Sequence, residues 1–220
     1  MQTSQTSKVR GATVRLNRRA IPNVSVLAHD GSVHRFYEDL VRDQLVLIAF
    51  MSIEHDAHYP CTPRLRRIRD LLDLDPDNRV QLLSVTVDPE HDTPRRLSEY
   101  AALNGANAGR TPWRFLTAAP EDIDLVRASL YVHRSLAPED GTRKLYEREN
   151  ILALPHHKAV MDCSMGLMRY GNESLDIWGG APVKASAEDV VARLSWLRGD
   201  VRQASSSTKR RRGGPFRVSG

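Results

Sequence analysis

Residues 45–50, Leu-Val-Leu-Ile-Ala-Phe, constrain this chain more than any other stretch. Six successive apolar residues are too few to cross a membrane, which takes roughly 18 or more. Their β-branched and aromatic content predicts a central strand covered on both faces, as in a parallel sheet packed between helices. Directly after it come His55, His58, Tyr59, Pro60 and Cys61, and from Thr62 the residues Leu65, Ile68, Leu71 and Leu72 recur at helical spacing. A buried strand that delivers such side chains to the mouth of a helix is where open α/β sheets build sites.

The flanking sequence extends the pattern. Val24, Val26 and Ala28 alternate with other neighbours, His29-Asp30-Gly31 signals a turn, and Val33 to Phe36 returns as the second strand of a hairpin. Tyr37 to Leu40 reads as one helical turn. Val80 to Val87 is a second β-rich run, so strand, helix and strand predict a right-handed crossover with parallel pairing. Thr93-Pro94 places a cap and a first-turn proline before a helix through Leu97, Tyr100 and Ala101, stopped by Asn104-Gly105. Trp113 to Thr117 reads as a strand and Pro120 to Leu130 as a helix. Residues 133–155 read as a surface excursion, and Lys158 to Asp162 and Met165 to Tyr170 as strands. A last helix runs from a Ser186 cap to Leu197. The fold class expected is α/β, a central mixed sheet flanked by helices with an N-terminal hairpin. The expected organisation is a flexible basic arm over residues 1–20, a domain over 21–199 and a disordered basic tail over 200–220.

At 40% apolar and 27% charged the chain has ordinary globular composition, and its formal charge of +5 is partly terminal. Lys209-Arg210-Arg211-Arg212 follows three serines without interleaved aromatics, so a solvated tail is the reading and nucleic-acid contact is not expected. No apolar segment follows the basic residues near the start, so no export signal or anchor is read and a cytoplasmic protein is expected. A truncated N-terminus would make it periplasmic or membrane-associated. Cys61 and Cys163 are the two cysteines, too few for a disulfide framework. No triad motif, Gly-rich phosphate loop or small-molecule substrate site is evident.

Several blocks taken in order resemble one family. Ile21-Pro22-Asn23-Val24, Arg35 to Leu40, Ala49-Phe50-Met51, Ser84 to Pro94, Trp113 to Thr117 and Arg169 to Trp178 are similar to segments of the Sco/SenC proteins. These are thioredoxin-fold copper chaperones of cytochrome c oxidase assembly. The resemblance implies a thioredoxin-like three-layer fold, copper as the cofactor and a copper-receiving protein as the partner. It also implies an exported or membrane-facing protein, against the compartment that the residues indicate.

The family's ligands do not carry over with its blocks. The family presents CxxxCP and one distant histidine. Counted from Phe50-Met51, with Pro60 as the motif's proline, the cysteine positions fall on His55 and Tyr59. A one-residue gap brings Cys61 to the second position and leaves the first without a cysteine. The distant position falls on Ser164 when anchored on Gly171-Asn172-Glu173, and near His156 or His157 when anchored on Asp162 and Gly166. The candidate metal residues are therefore His55, His58, Cys61, His157 and Cys163, with imidazoles suited to copper(II) and thiolates to copper(I). The expected function is a divergent Sco/SenC-like carrier or assembly protein with a degenerate site, not a turnover enzyme. One alternative is a thiol oxidoreductase or peroxidase using Cys61, whose pKa a helix N-terminus would lower, with Cys163 resolving. Another is a non-catalytic interaction module. Tyr59 is expected to fill the place of a lost thiolate, its hydroxyl meeting His157 or Ser164, and Trp178 is expected to be a packing anchor.

Overall fold

Strand β3 (Leu45–Met51) is buried at all seven positions, and the sheet is assembled around it. The computed structural model describes residues 21–131, 165–172 and 177–198. β3 pairs in parallel with β4 (Val80–Thr86) without a slip, from Leu45 opposite Val80 to Met51 opposite Thr86. Helix α1 (Cys61–Leu72) makes the crossover between them. Helix α2 (Pro94–Leu103) leads to β5 (Trp113–Thr117), which joins β4 in parallel. The hairpin of β1 (Ser25–Ala28) and β2 (Val33–Arg35) adds antiparallel to β5. On the other side of β3 lie β6 (Leu167–Asn172) and β7 (Ile177–Pro182), each antiparallel to its neighbour. The order across the sheet is β2-β1-β5-β4-β3-β6-β7. Helix α3 (Pro120–Tyr131) follows β5, and α4 spans residues 187–198.

Alternation along β3 divides the core in two. Leu45, Leu47, Ala49 and Met51 face Leu65 and Ile68 of α1, Leu97 and Ala101 of α2, and Val190 and Leu194 of α4. Val46, Ile48 and Phe50 face Phe36, Leu40 and the α3 residues Ile123, Val126 and Leu130. Each Val, Leu, Ile, Phe or Met among them contributes about 1.5–3 kcal/mol on leaving water, before the entropy of ordering is subtracted. The result is the mixed sheet flanked by helices, with its N-terminal hairpin, that the sequence predicts.

Four local features differ from expectation, the first being β6, which runs Leu167–Asn172 and not from Met165 to Tyr170. The turn expected over Tyr37 to Leu40 is a π-helical segment, Phe36–Val41, closed by the Arg42 N–H donating to Tyr37 O at 2.7 Å. Helix α1 starts at Cys61, one residue early. β7 was not foreseen: its Gly179-Gly180 pair reads as a breaker, yet the Tyr170 ring lies directly where a Gly179 side chain would go. Thr93 caps α2 by accepting from Arg96 N–H at 3.4 Å, and Ser186 caps α4 by accepting from Asp189 N–H at 3.1 Å, both as read. Trp178 is buried as the expected packing anchor. The arm 1–20, the excursion 133–155, the strand expected at 158–162 and the tail 200–220 lie outside the described residues. No described helix is long and apolar enough to cross a membrane.

The lower end of the sheet is tied by Asp73, just after α1. Its Oδ1 accepts from Thr111 N–H at 2.8 Å and from the Thr111 hydroxyl at 2.6 Å, which fixes the entry to β5. Gly109, at φ +102°, passes so close that a Cβ would collide with the Asp73 carboxylate. Gly109→Ala should therefore cost about 1–3 kcal/mol in urea unfolding, from strain at positive φ and displacement of Asp73. An unchanged midpoint would show that this loop yields freely.

Candidate functional site

The site region lies at the C-terminal ends of β3 and β4, where the chain leaves the sheet through residues 52–60 and enters α1. Met51 still belongs to the ladder, since Val87 N–H donates to Met51 O at 2.8 Å. Ser52 is buried, and its hydroxyl lies 3.3 Å from His55 Nδ1. His55 O then accepts from the N–H groups of both His58 and Tyr59, each at 2.9 Å. Bonds of this span close a tight turn whose first and fourth residues come within about 7 Å. His55 and His58 are both exposed on it.

The helix mouth is closed from inside. Pro60 stands at the cap position and supplies no side-chain hydrogen bond, so the first N–H groups of α1 need an acceptor from elsewhere. Asp56 provides it. Its buried carboxylate accepts from Thr62 N–H at 3.0 Å through Oδ1 and from the Tyr100 hydroxyl at 2.8 Å through Oδ2. A negative charge at the positive end of the helix is favourable electrostatically as well. Burial raises the Tyr100 hydroxyl well above its ordinary pKa, and the Asp56 charge adds to that. Asp56 is not among the residues that the sequence singles out. The only signal was indirect, a helix start at a residue that cannot cap.

Cys61, the first residue of α1, points inward. Its thiol is 1% exposed and donates toward Phe50 O at 3.3 Å and Met165 O at 3.2 Å. Burial first, and the Asp56 charge second, push its pKa up to about 12. This corrects the expectation of a thiol made acidic by the helix end. Tyr59 is half-buried against the core, its ring edge-on to His58 with centroids 5.1 Å apart. The partners expected for its hydroxyl, His157 and Ser164, lie outside the described residues, as do His156 and Cys163. Of the candidate ligands the structure thus brings His55 and His58 together at the surface and turns Cys61 away from them. Among the described residues, no group of three His, Cys, Asp or Glu side chains is placed to hold a metal ion. The described donors therefore do not fit a thiolate centre.

The SCO1/SenC family model matches residues 60–163. Over those residues the chain is similar to that family. Its fold is that of the solved Sco proteins. Copper-bound ScoI of Arabidopsis thaliana matches at 15% identity and TM-score 0.53, over 82% of this chain and 99% of that one. A SCO1/SenC family lipoprotein of Bacillus anthracis matches at 13% identity and TM-score 0.55, over 81% and 94%. Copper-bound yeast Sco1 matches at 14% identity and TM-score 0.52, over 80% and 90%. No curated protein sequence matches the chain. The Sco/SenC-like fold persists here without a CxxxC pair.

The Asp56–Tyr100 bond gives the first test of the closed mouth. Tyr100→Phe leaves a buried carboxylate oxygen without its donor and should cost about 1.5–3 kcal/mol in chemical unfolding. A loss below about 0.5 kcal/mol would mean that water already reaches Asp56.

Proposed function

We propose that this chain is a Sco/SenC-like copper-handling carrier or assembly protein that serves a copper-receiving protein without turning over a substrate. In this reading copper is taken as copper(II) by the exposed imidazoles of His55 and His58. The observation that carries it is the turn itself. Two histidines share one short turn at the helix mouth while Cys61, beside them in sequence, is buried as a thiol. Imidazole is a good donor to copper(II), whereas copper(I) favours thiolates, and a pKa near 12 keeps Cys61 protonated at neutral pH. Two ligands leave coordination positions open, which suits a carrier that hands its ion on. His157 and Cys163 are the residues proposed to complete the set.

The same buried thiol argues against a peroxidase or thiol oxidoreductase working through Cys61, because the reactive species is the thiolate. A pure interaction module, with no metal at all, is the outcome that the metal titration separates. Purified protein titrated with copper(II) under a competing chelator should bind one ion. His55→Ala with His58→Ala should weaken binding at least about tenfold, and Cys61→Ala should leave it within about twofold. Equal affinity in all three would remove the turn from the copper account, and no binding in any would leave the interaction module.

A further inference from the structure

Asp92 sits beneath the turn that carries His55 and His58, and copper handling gives it no role. Its side chain is fully buried at the C-terminal ends of β3 and β4. Oδ2 accepts from Ile53 N–H at 3.2 Å and from the Thr86 hydroxyl at 2.7 Å. Ile53 leads into the turn, and Thr86 ends β4. One carboxyl oxygen therefore ties the turn to the neighbouring strand. Oδ1 is equally buried and meets no donor among the described residues.

A buried carboxylate with one bare oxygen has lost water's hydrogen bonds at that oxygen and gained nothing in return. The neutral carboxyl keeps both bonds at Oδ2 and hides only a hydroxyl, a smaller loss. The surrounding charges act in both directions. Asp88, bonded to His91 at 2.8 Å, opposes ionisation of Asp92, and Arg96, whose guanidinium donates to His91 O at 2.8 Å, favours it. Glu54 and Glu90 add negative charge near His91. Burial is the largest influence, exceeding the two hydrogen bonds and Arg96, and it raises the Asp92 carboxyl above its ordinary value.

We propose that Asp92 is a proton-linked clamp on this turn. Its neutral carboxyl holds residues 52–60 against the end of β4, and transfer of its proton to solvent loosens them. A carboxyl with a raised folded pKa contributes its full stabilisation below the unfolded value, and that contribution is lost as pH rises through the folded pKa. The clamp depends on the geometry of the turn and not on copper, so it stands or falls separately from the metal reading.

Hydrogen exchange at the Ile53 amide, corrected for its intrinsic rate, reads the clamp without any metal. Protection at Ile53 should fall by more than about twofold as pH rises from the ordinary carboxylate range to about pH 8, because the proton-linked stabilisation is lost as the raised carboxyl ionises. Asp92→Asn keeps an acceptor oxygen and cannot ionise, so its Ile53 protection should change less than about twofold. The Leu82 amide, which bonds to Pro112 O in the core, serves as an internal control. Parallel pH profiles for the natural protein and the variant would overturn the proposal. Should the variant not fold, carbon-13 titration of the Asp92 carboxyl in the natural protein decides. A midpoint above the ordinary carboxylate range supports the clamp, and one at or below that range overturns it.

Discussion

The seven-residue parallel pairing of β3 with β4 is the constraint on which the rest of this structure depends. A strand buried on both faces fixes two cores at once, and any slip in its register would exchange their side chains. The pairing also ends both strands at the same level. The turn at 52–60 and the loop at 87–92 therefore emerge side by side, over the N-terminus of α1. The site region is a consequence of that alignment.

At this mouth two effects on Cys61 compete, and magnitude decides between them. A helix N-terminus stabilises an anion by about 0.3–1 kcal/mol at the surface and by about 2 kcal/mol at most when partly buried, roughly 1.5 pKa units. Burial and the neighbouring Asp56 charge act the other way and move the thiol from 9.0 to about 12. The positive end of the helix is spent on Asp56 instead, through Thr62 N–H. Asp56 thus closes the helix mouth through Thr62 N–H and the Tyr100 hydroxyl. The exposed side chains of His55 and His58 take no part in the Asp56 bonds.

Most of the scaffold was legible because it is written in local patterns. The apolar run 45–50, the Thr93-Pro94 cap and the Ser186 cap each name their own structure. β7 was hidden because its glycines weaken a strand on their own account, and the compensation comes from Tyr170 on another strand. The closure of the site was hidden for the same reason. Asp56 caps a helix that starts five residues later and pairs with Tyr100, 44 positions away, and no spacing rule announces either bond. The inward turn of Cys61 depends on carbonyls of Phe50 and Met165, again joined only by the fold.

The helix mouth is closed, with Cys61 held as a buried thiol. Ultraviolet thiolate absorbance of the folded Cys163→Ser variant, followed against pH, measures this directly. No thiolate should form at neutral pH, and the midpoint should lie near 12, or the thiolate should be released only as the fold fails in alkali. A thiolate that forms in the folded protein near neutral pH would contradict it, and would return Cys61 to the surface as a ligand or nucleophile.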